Sequence, residues 1–132
     1  MKETTRLMIK LYNIDKLGYD FMGYSLQKGD RYTYHHMIKP ARENGKITIE
    51  NGAILCGLTS HPYFHLVESK DPEIARVITS QMIDMNQKGY LDIHNLKCIN
   101  DALKYFEREH CNDRGRKGKL LIKNDYLKRK KF

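Results

Sequence analysis

Between Tyr34 and Leu66 the chain gathers four of its six histidines, and their spacing limits the local fold more tightly than any other feature. The block reads YHHMIKPARENGKITIENGAILCGLTSHPYFH. His61 and His65 are four residues apart. On a helix both imidazoles project from one face, one turn apart, and can share a metal ion. His35 and His36 are adjacent, so on a strand their side chains point to opposite faces. One can then ligate a metal while its neighbour is free to act as a base; the spacing alone does not say which. Imidazole is the usual ligand for zinc, nickel and related ions. Three histidines leave coordination positions open, as a catalytic site does and a closed structural site does not.

The rest of the chain supplies the elements that carry this block. Leu7, Ile9 and Leu11 alternate with Met8 and Lys10 and predict a short N-terminal strand. Asn13 to Gly18 predicts a turn. Phe21–Leu26 and Arg31–Ile38 are Tyr-rich or β-branched runs, separated by the hairpin-like break Gln27-Lys28-Gly29-Asp30. Residues 39–46, KPARENGK, predict a loop, followed by a short strand at Ile47-Thr48-Ile49 and a turn at Asn51-Gly52. Ile54-Leu55-Cys56 either continues a hairpin or leads into a helix. Thr59 or Ser60 can cap a helix over 59–68, with Pro62 in its first turn. Asp71-Pro72-Glu73 opens the next helix. Ile74, Val77, Ile78, Met82 and Met85 keep its apolar spacing up to a stop at Gly89. Asp92 can cap a last helix with the stripe Leu96, Ile99, Leu103 and Phe106. The methionines read as core filler.

The histidine block resembles the HNH endonucleases, whose ββα-metal motif is named for a first His, a central Asn and a last His. The matching pieces are His35-His36 at the end of a first strand, Gly45 in the connecting loop, Thr48, Asn51, Leu55-Cys56, and then His61 and His65. The doubled His and the terminal HxxxH are most similar to the nuclease domains of the DNase colicins. The resemblance covers about a third of the chain, residues 31–68. It implies that His35, His61 and His65 hold one divalent metal (Mg²⁺, Mn²⁺, Ni²⁺ or Zn²⁺). It implies that His36 is the general base, and that Asn51 braces the loop and orients His36 through a backbone hydrogen bond. The implied activity is that of a hydrolase, a metal-dependent endonuclease acting on nucleic acid, DNA first. The paired Cys-x-x-Cys of many relatives has no counterpart here. Cys56 stands alone and reads as a small buried hydrophobe.

Charge points to the same class of partner. Of a net +8, residues 111–132 carry +7, with nine Lys/Arg against Asp113 and Asp125. Arg114, Arg116, Lys117, Lys119, Lys128, Arg129, Lys130 and Lys131 are the candidate phosphate contacts of this tail. The body is nearly neutral. No apolar run approaches the roughly 20 residues of a membrane helix, so no membrane partner is expected. Cys56, Cys98 and Cys111 lie far apart, which suits reduced thiols in a cytoplasmic setting. His94 and His110 read as helix-terminal surface residues. Tyr32, Tyr34, Tyr63 and Phe64 read as packing residues before base-stacking ones, and Arg31, Lys39 and Arg42 as loop charges that can reach phosphate.

The expected fold is therefore α+β. It has an N-terminal β extension (residues 1–30), a ββα-metal core (31–70), a helical portion of the same domain (71–110) and a basic tail (111–132). Two other functions fit the same residues. One is a catalytically inactive nucleic-acid-binding module; the other is a metal-stabilised interaction domain.

Overall fold

A computed structural model describes residues 2–38 and 47–110. It contains helices α1 (Glu3–Leu11) and α2 (Ile14–Leu17), strands β1 (Tyr32–His36) and β2 (Gly52–Cys56), and helices α3 (Ser60–Lys70), α4 (Pro72–Lys88) and α5 (Ile93–His110). The two strands pair antiparallel, from Tyr32 opposite Cys56 to His36 opposite Gly52. The class is α+β.

The N-terminal segment is helical, which corrects the expected β extension. Thr5, Met8, Ile9 and Tyr12 are buried, whereas Leu7 and Leu11 are half exposed. That burial follows a period near 3.6, and the apparent alternation of Leu7, Ile9 and Leu11 loses to it. The expected turn at 13–18 contains the single helical turn α2, which closes on Gly18 in the left-handed region (φ 81°). Phe21–Leu26 forms no strand. Asp20 captures its amides instead: Oδ1 accepts from Met22 N (2.8 Å) and Tyr24 N (3.0 Å), and Asp20 N donates to Tyr24 O (2.9 Å). Amides committed to one carboxylate cannot build a ladder. Ile47-Thr48-Ile49 is likewise not a strand. The Tyr34 hydroxyl takes both backbone groups of Thr48 (2.7 and 3.0 Å), and Asn86 Nδ2 donates to Ile49 O (2.7 Å).

The helical half follows the sequence closely, except that Thr59, at the N-cap of α3, makes no side-chain capping bond and the Ser60 hydroxyl is taken by Asp20. Asp71 caps α4 by accepting from Ile74 N (3.3 Å), and Gly89 ends it with φ 83°. Asp92 Oδ2 accepts from His94 N and Asn95 N at the start of α5. Ile78, Met82, Met85, Leu96, Ile99, Leu103 and Phe106 are buried, and Val77 is not. Every residue of β2 is buried, so this strand is the centre of the core, with Phe21, Met22 and Tyr24 in the same apolar cluster. The loop at 39–46 and the basic tail at 111–132 lie outside the described residues.

Candidate metal centre

β1 and α3 bring the histidines together. β1 is exposed to packing on both sides, so its alternation sends His35 and His36 different ways. His35 is buried. Its ring lies edge-on to His61 (centroids 5.1 Å) and His65 (5.3 Å), and Phe64 packs against it at 4.7 Å. On α3, Tyr63, Phe64 and Val67 are buried. That fixes the rotation of the helix and leaves His61 and His65 on an adjoining face, their rings stacked at 5.0 Å. One nitrogen from each of His35, His61 and His65 lies within 4.8 Å of the other two. Nitrogens around a tetrahedral zinc stand about 3.4 Å apart, from Zn–N bonds of about 2.0–2.1 Å. The donors would have to draw together by side-chain rotation to share one ion. Burial grades from buried His35 through half-buried His61 to exposed His65, so the cluster opens to solvent on one side.

The three donors are all neutral nitrogens with no carboxylate among them, a set that suits zinc or nickel better than magnesium, which prefers oxygen. Burial lowers the His35 pKa to about 3, with the neighbouring His61, His65 and His36 adding to the effect. Burial, then His65 and His36, lowers that of His61 to about 4. Both rings are therefore neutral at pH 7, the form that ligates metal. The same shifts predict an acid lability. Folded His35 binds a proton more weakly than the unfolded chain does, so its contribution to stability is full above about pH 6.5 and is lost as pH falls toward 3. The melting temperature of the metal-free protein should fall more steeply between pH 6.5 and 4 than that of His35→Gln. Parallel pH profiles would remove His35 as the cause.

His36 is half-buried at the far end of β1, edge-on to the Tyr34 ring at 4.9 Å. Its Nε2 is buried and has no hydrogen-bond partner among the described residues. Asn51 lies immediately before β2. Its Oδ1 accepts from Ile38 N (2.8 Å) and its backbone oxygen from Met37 N (2.8 Å). These two bonds hold the backbone immediately after His36, at the strand's exit. Gly52 leaves room for Tyr34: a Cβ there would sit 2.2 Å from the ring.

Two groups around the cluster were not anticipated from the sequence. Thr33 Oγ1 lies 2.7 Å from His61 Nδ1, and Glu68 Oε1 lies 3.2 Å from His65 Nδ1. The available signal was positional: Thr33 is two residues from His35 on one strand face, and Glu68 is three from His65 on one helix face. Beneath α3, buried Asp20 Oδ2 accepts from Cys56 N (2.9 Å) and from the Ser60 hydroxyl, which in turn accepts from Cys56 N (3.0 Å). Burial pushes the Asp20 carboxyl up, against the pull of these donors. Cys56 is buried, and that burial pushes its thiol up, as expected of a packing residue. His94 is exposed, and His110 pairs with Asp71 at 2.9 Å, tying the end of α5 to the cap of α4. Tyr32, Tyr63 and Phe64 are buried, in keeping with packing. No helix among the described residues is long and apolar enough to cross a membrane. Arg114, Arg116, Lys117, Lys119, Lys128, Arg129, Lys130 and Lys131 lie outside the described residues. Compared with family models, curated proteins and solved structures, the chain matches none.

Proposed function

We propose that this chain is a metal-dependent endonuclease that hydrolyses phosphodiester bonds of nucleic acid, with DNA as the first substrate to test. The observation that carries the reading is the convergence of His35 from β1 with His61 and His65 from α3, donor atoms within 4.8 Å of one another. The order β1–β2–α3 supports it, as does the concentration of positive charge in residues 111–132. A bound divalent ion would supply positive charge to the phosphate and to the leaving 3′ oxygen. His35, His61 and His65 would hold it, and none of these three ligands is a carboxylate that would offset its charge. His36 would accept the proton of the attacking water as the new P–O bond forms and the P–O3′ bond breaks. Its Nε2 has no hydrogen-bond partner among the described residues to surrender first. Asn51 would keep the backbone after His36 in place.

The test is incubation of supercoiled plasmid with pure protein across Mg²⁺, Mn²⁺, Ni²⁺, Zn²⁺ and chelator, alongside thermal melts. Cleavage should need metal and stop with chelator. A ligand at 100 times its Kd adds about 2.7 kcal/mol, which for a domain this small raises the melting temperature by about 10 °C. The double variant His61→Ala/His65→Ala should lose both responses. A parent protein whose plasmid stays intact and whose melting temperature ignores all four metals would overturn the reading. Salt-sensitive DNA binding without cleavage would replace it with a binding module.

A further inference from the structure

We infer that Thr33 is a positioning residue that fixes the tautomer of His61, so that Nε2 is the nitrogen this imidazole offers to a metal. The argument rests on counting protons. The Thr33 hydroxyl makes two contacts, 3.0 Å to Leu55 O and 2.7 Å to His61 Nδ1. It has one proton to donate. A carbonyl oxygen can only accept, and two oxygens 3.0 Å apart with no proton between them repel, so the hydroxyl proton lies toward Leu55. Toward His61 the hydroxyl oxygen is then an acceptor, and Nδ1 must carry the ring proton. A neutral imidazole has a single N–H, so its lone pair lies on Nε2.

The hydroxyl is itself held in place. Thr33 and Leu55 are opposite one another in the β1–β2 ladder, and Thr is stiff at χ1. Gly57 closes over its methyl: a Cβ at 57 would stand 2.8 Å from Thr33 Cγ2 and 3.1 Å from Arg31 O. Thr33 therefore cannot swing away from His61 without disturbing the strand pair. Glu68 repeats the device at His65 from the exposed side. A carboxylate only accepts, so the 3.2 Å contact protonates Nδ1 there as well. That pair is solvent-exposed on both sides, so its hold is the weaker of the two. Ligating histidines commonly depend on such partners at their second nitrogen, and losing one costs typically about 10–100-fold in metal affinity.

The metal-affinity part of this inference rests on the proposed reading of the three histidines, while the tautomer part does not. The experiment therefore begins with the metal-free parent at neutral pH. Long-range ¹H–¹⁵N NMR of the imidazoles should show His61 with Nδ1 protonated and Nε2 bare. In Thr33→Val, which keeps the β-branched shape, that signature should give way to a mixture, while Thr33→Ser should restore it. Zn²⁺ and Co²⁺ titrations should then show binding about 10–100-fold weaker in Thr33→Val and near parental in Thr33→Ser. A parent His61 protonated on Nε2 overturns the inference without any variant. So does a folded Thr33→Val that keeps both the parental tautomer and the parental metal affinity. A parent with the expected tautomer that binds neither metal supports the Thr33 assignment and defeats the metal-centre reading instead.

Discussion

His36→Ala should cleave plasmid about 10²–10⁴-fold more slowly than the parent, the usual contribution of a positioned general base, while binding Zn²⁺ or Ni²⁺ as tightly. The split follows from the alternation of β1. His35 faces α3 and the other imidazoles, whereas His36 packs edge-on to Tyr34 and lies outside the set of donors that can meet at one ion. Single-turnover cleavage at saturating metal, set beside direct metal titration, separates the two roles. Equal cleavage by parent and variant would take His36 out of the mechanism. Should His35→Ala instead keep its metal and lose cleavage, the roles of the pair are exchanged.

Asp20→Asn should destabilise the fold by about 2–4 kcal/mol, because buried donors left unpaired cost about 1–3 kcal/mol each. The carboxylate accepts from Met22 N and Tyr24 N with one oxygen, and from Cys56 N and the Ser60 hydroxyl with the other. An amide has one accepting oxygen. Whichever way it turns, its NH₂ meets a buried donor. Against a total stability of about 5–15 kcal/mol for a typical domain, this is a large fraction, and the melting temperature should drop by about 10 °C or more. Because Ser60 precedes His61, metal affinity should fall along with stability. Thermal melts and urea unfolding check it. An Asn variant that melts within two or three degrees of the parent (about 0.5 kcal/mol) would show that the amides find other partners.

The legible parts of the sequence were those where one local signal had no competitor. Asp71-Pro72-Glu73 and Gly89 bound α4 because a cap, a first-turn proline and a left-handed glycine each admit little else. The HxxxH pair landed on one face of α3 because Tyr63, Phe64 and Val67 set the rotation of that helix. The α+β class and the neighbourhood of His35, His61 and His65 followed. Where the reading failed, side chains distant in sequence had taken the backbone. Asp20 drew in the amides of a run that looked like a strand, and Tyr34 and Asn86 took the polar groups of Thr48 and Ile49. At α1 the alternation of Leu7, Ile9 and Leu11 suggested a period of two, whereas Met8, Ile9 and Tyr12 are buried along a helix and its C-cap. Thr33 and Glu68 carried only a weak positional signal, for a different reason. A hydroxyl two residues from a histidine gains its meaning only when a helix from elsewhere brings His61 against it.

The Asp20 hub also bears on modularity. The histidine block reads as a portable cassette, bounded by Arg31 and Lys70. Yet its central strand packs against Phe21, Met22 and Tyr24, and the start of α3 is fastened to a carboxylate upstream of all of them. Cut at residue 31, the block would keep its histidines and lose the floor beneath them. A minimal fragment, or a recombinant fusion grafting this block onto another protein, has to begin before Asp20 or bring a replacement for it. The unit that can be transplanted is thus longer at its N-terminal end than the motif that makes it recognisable.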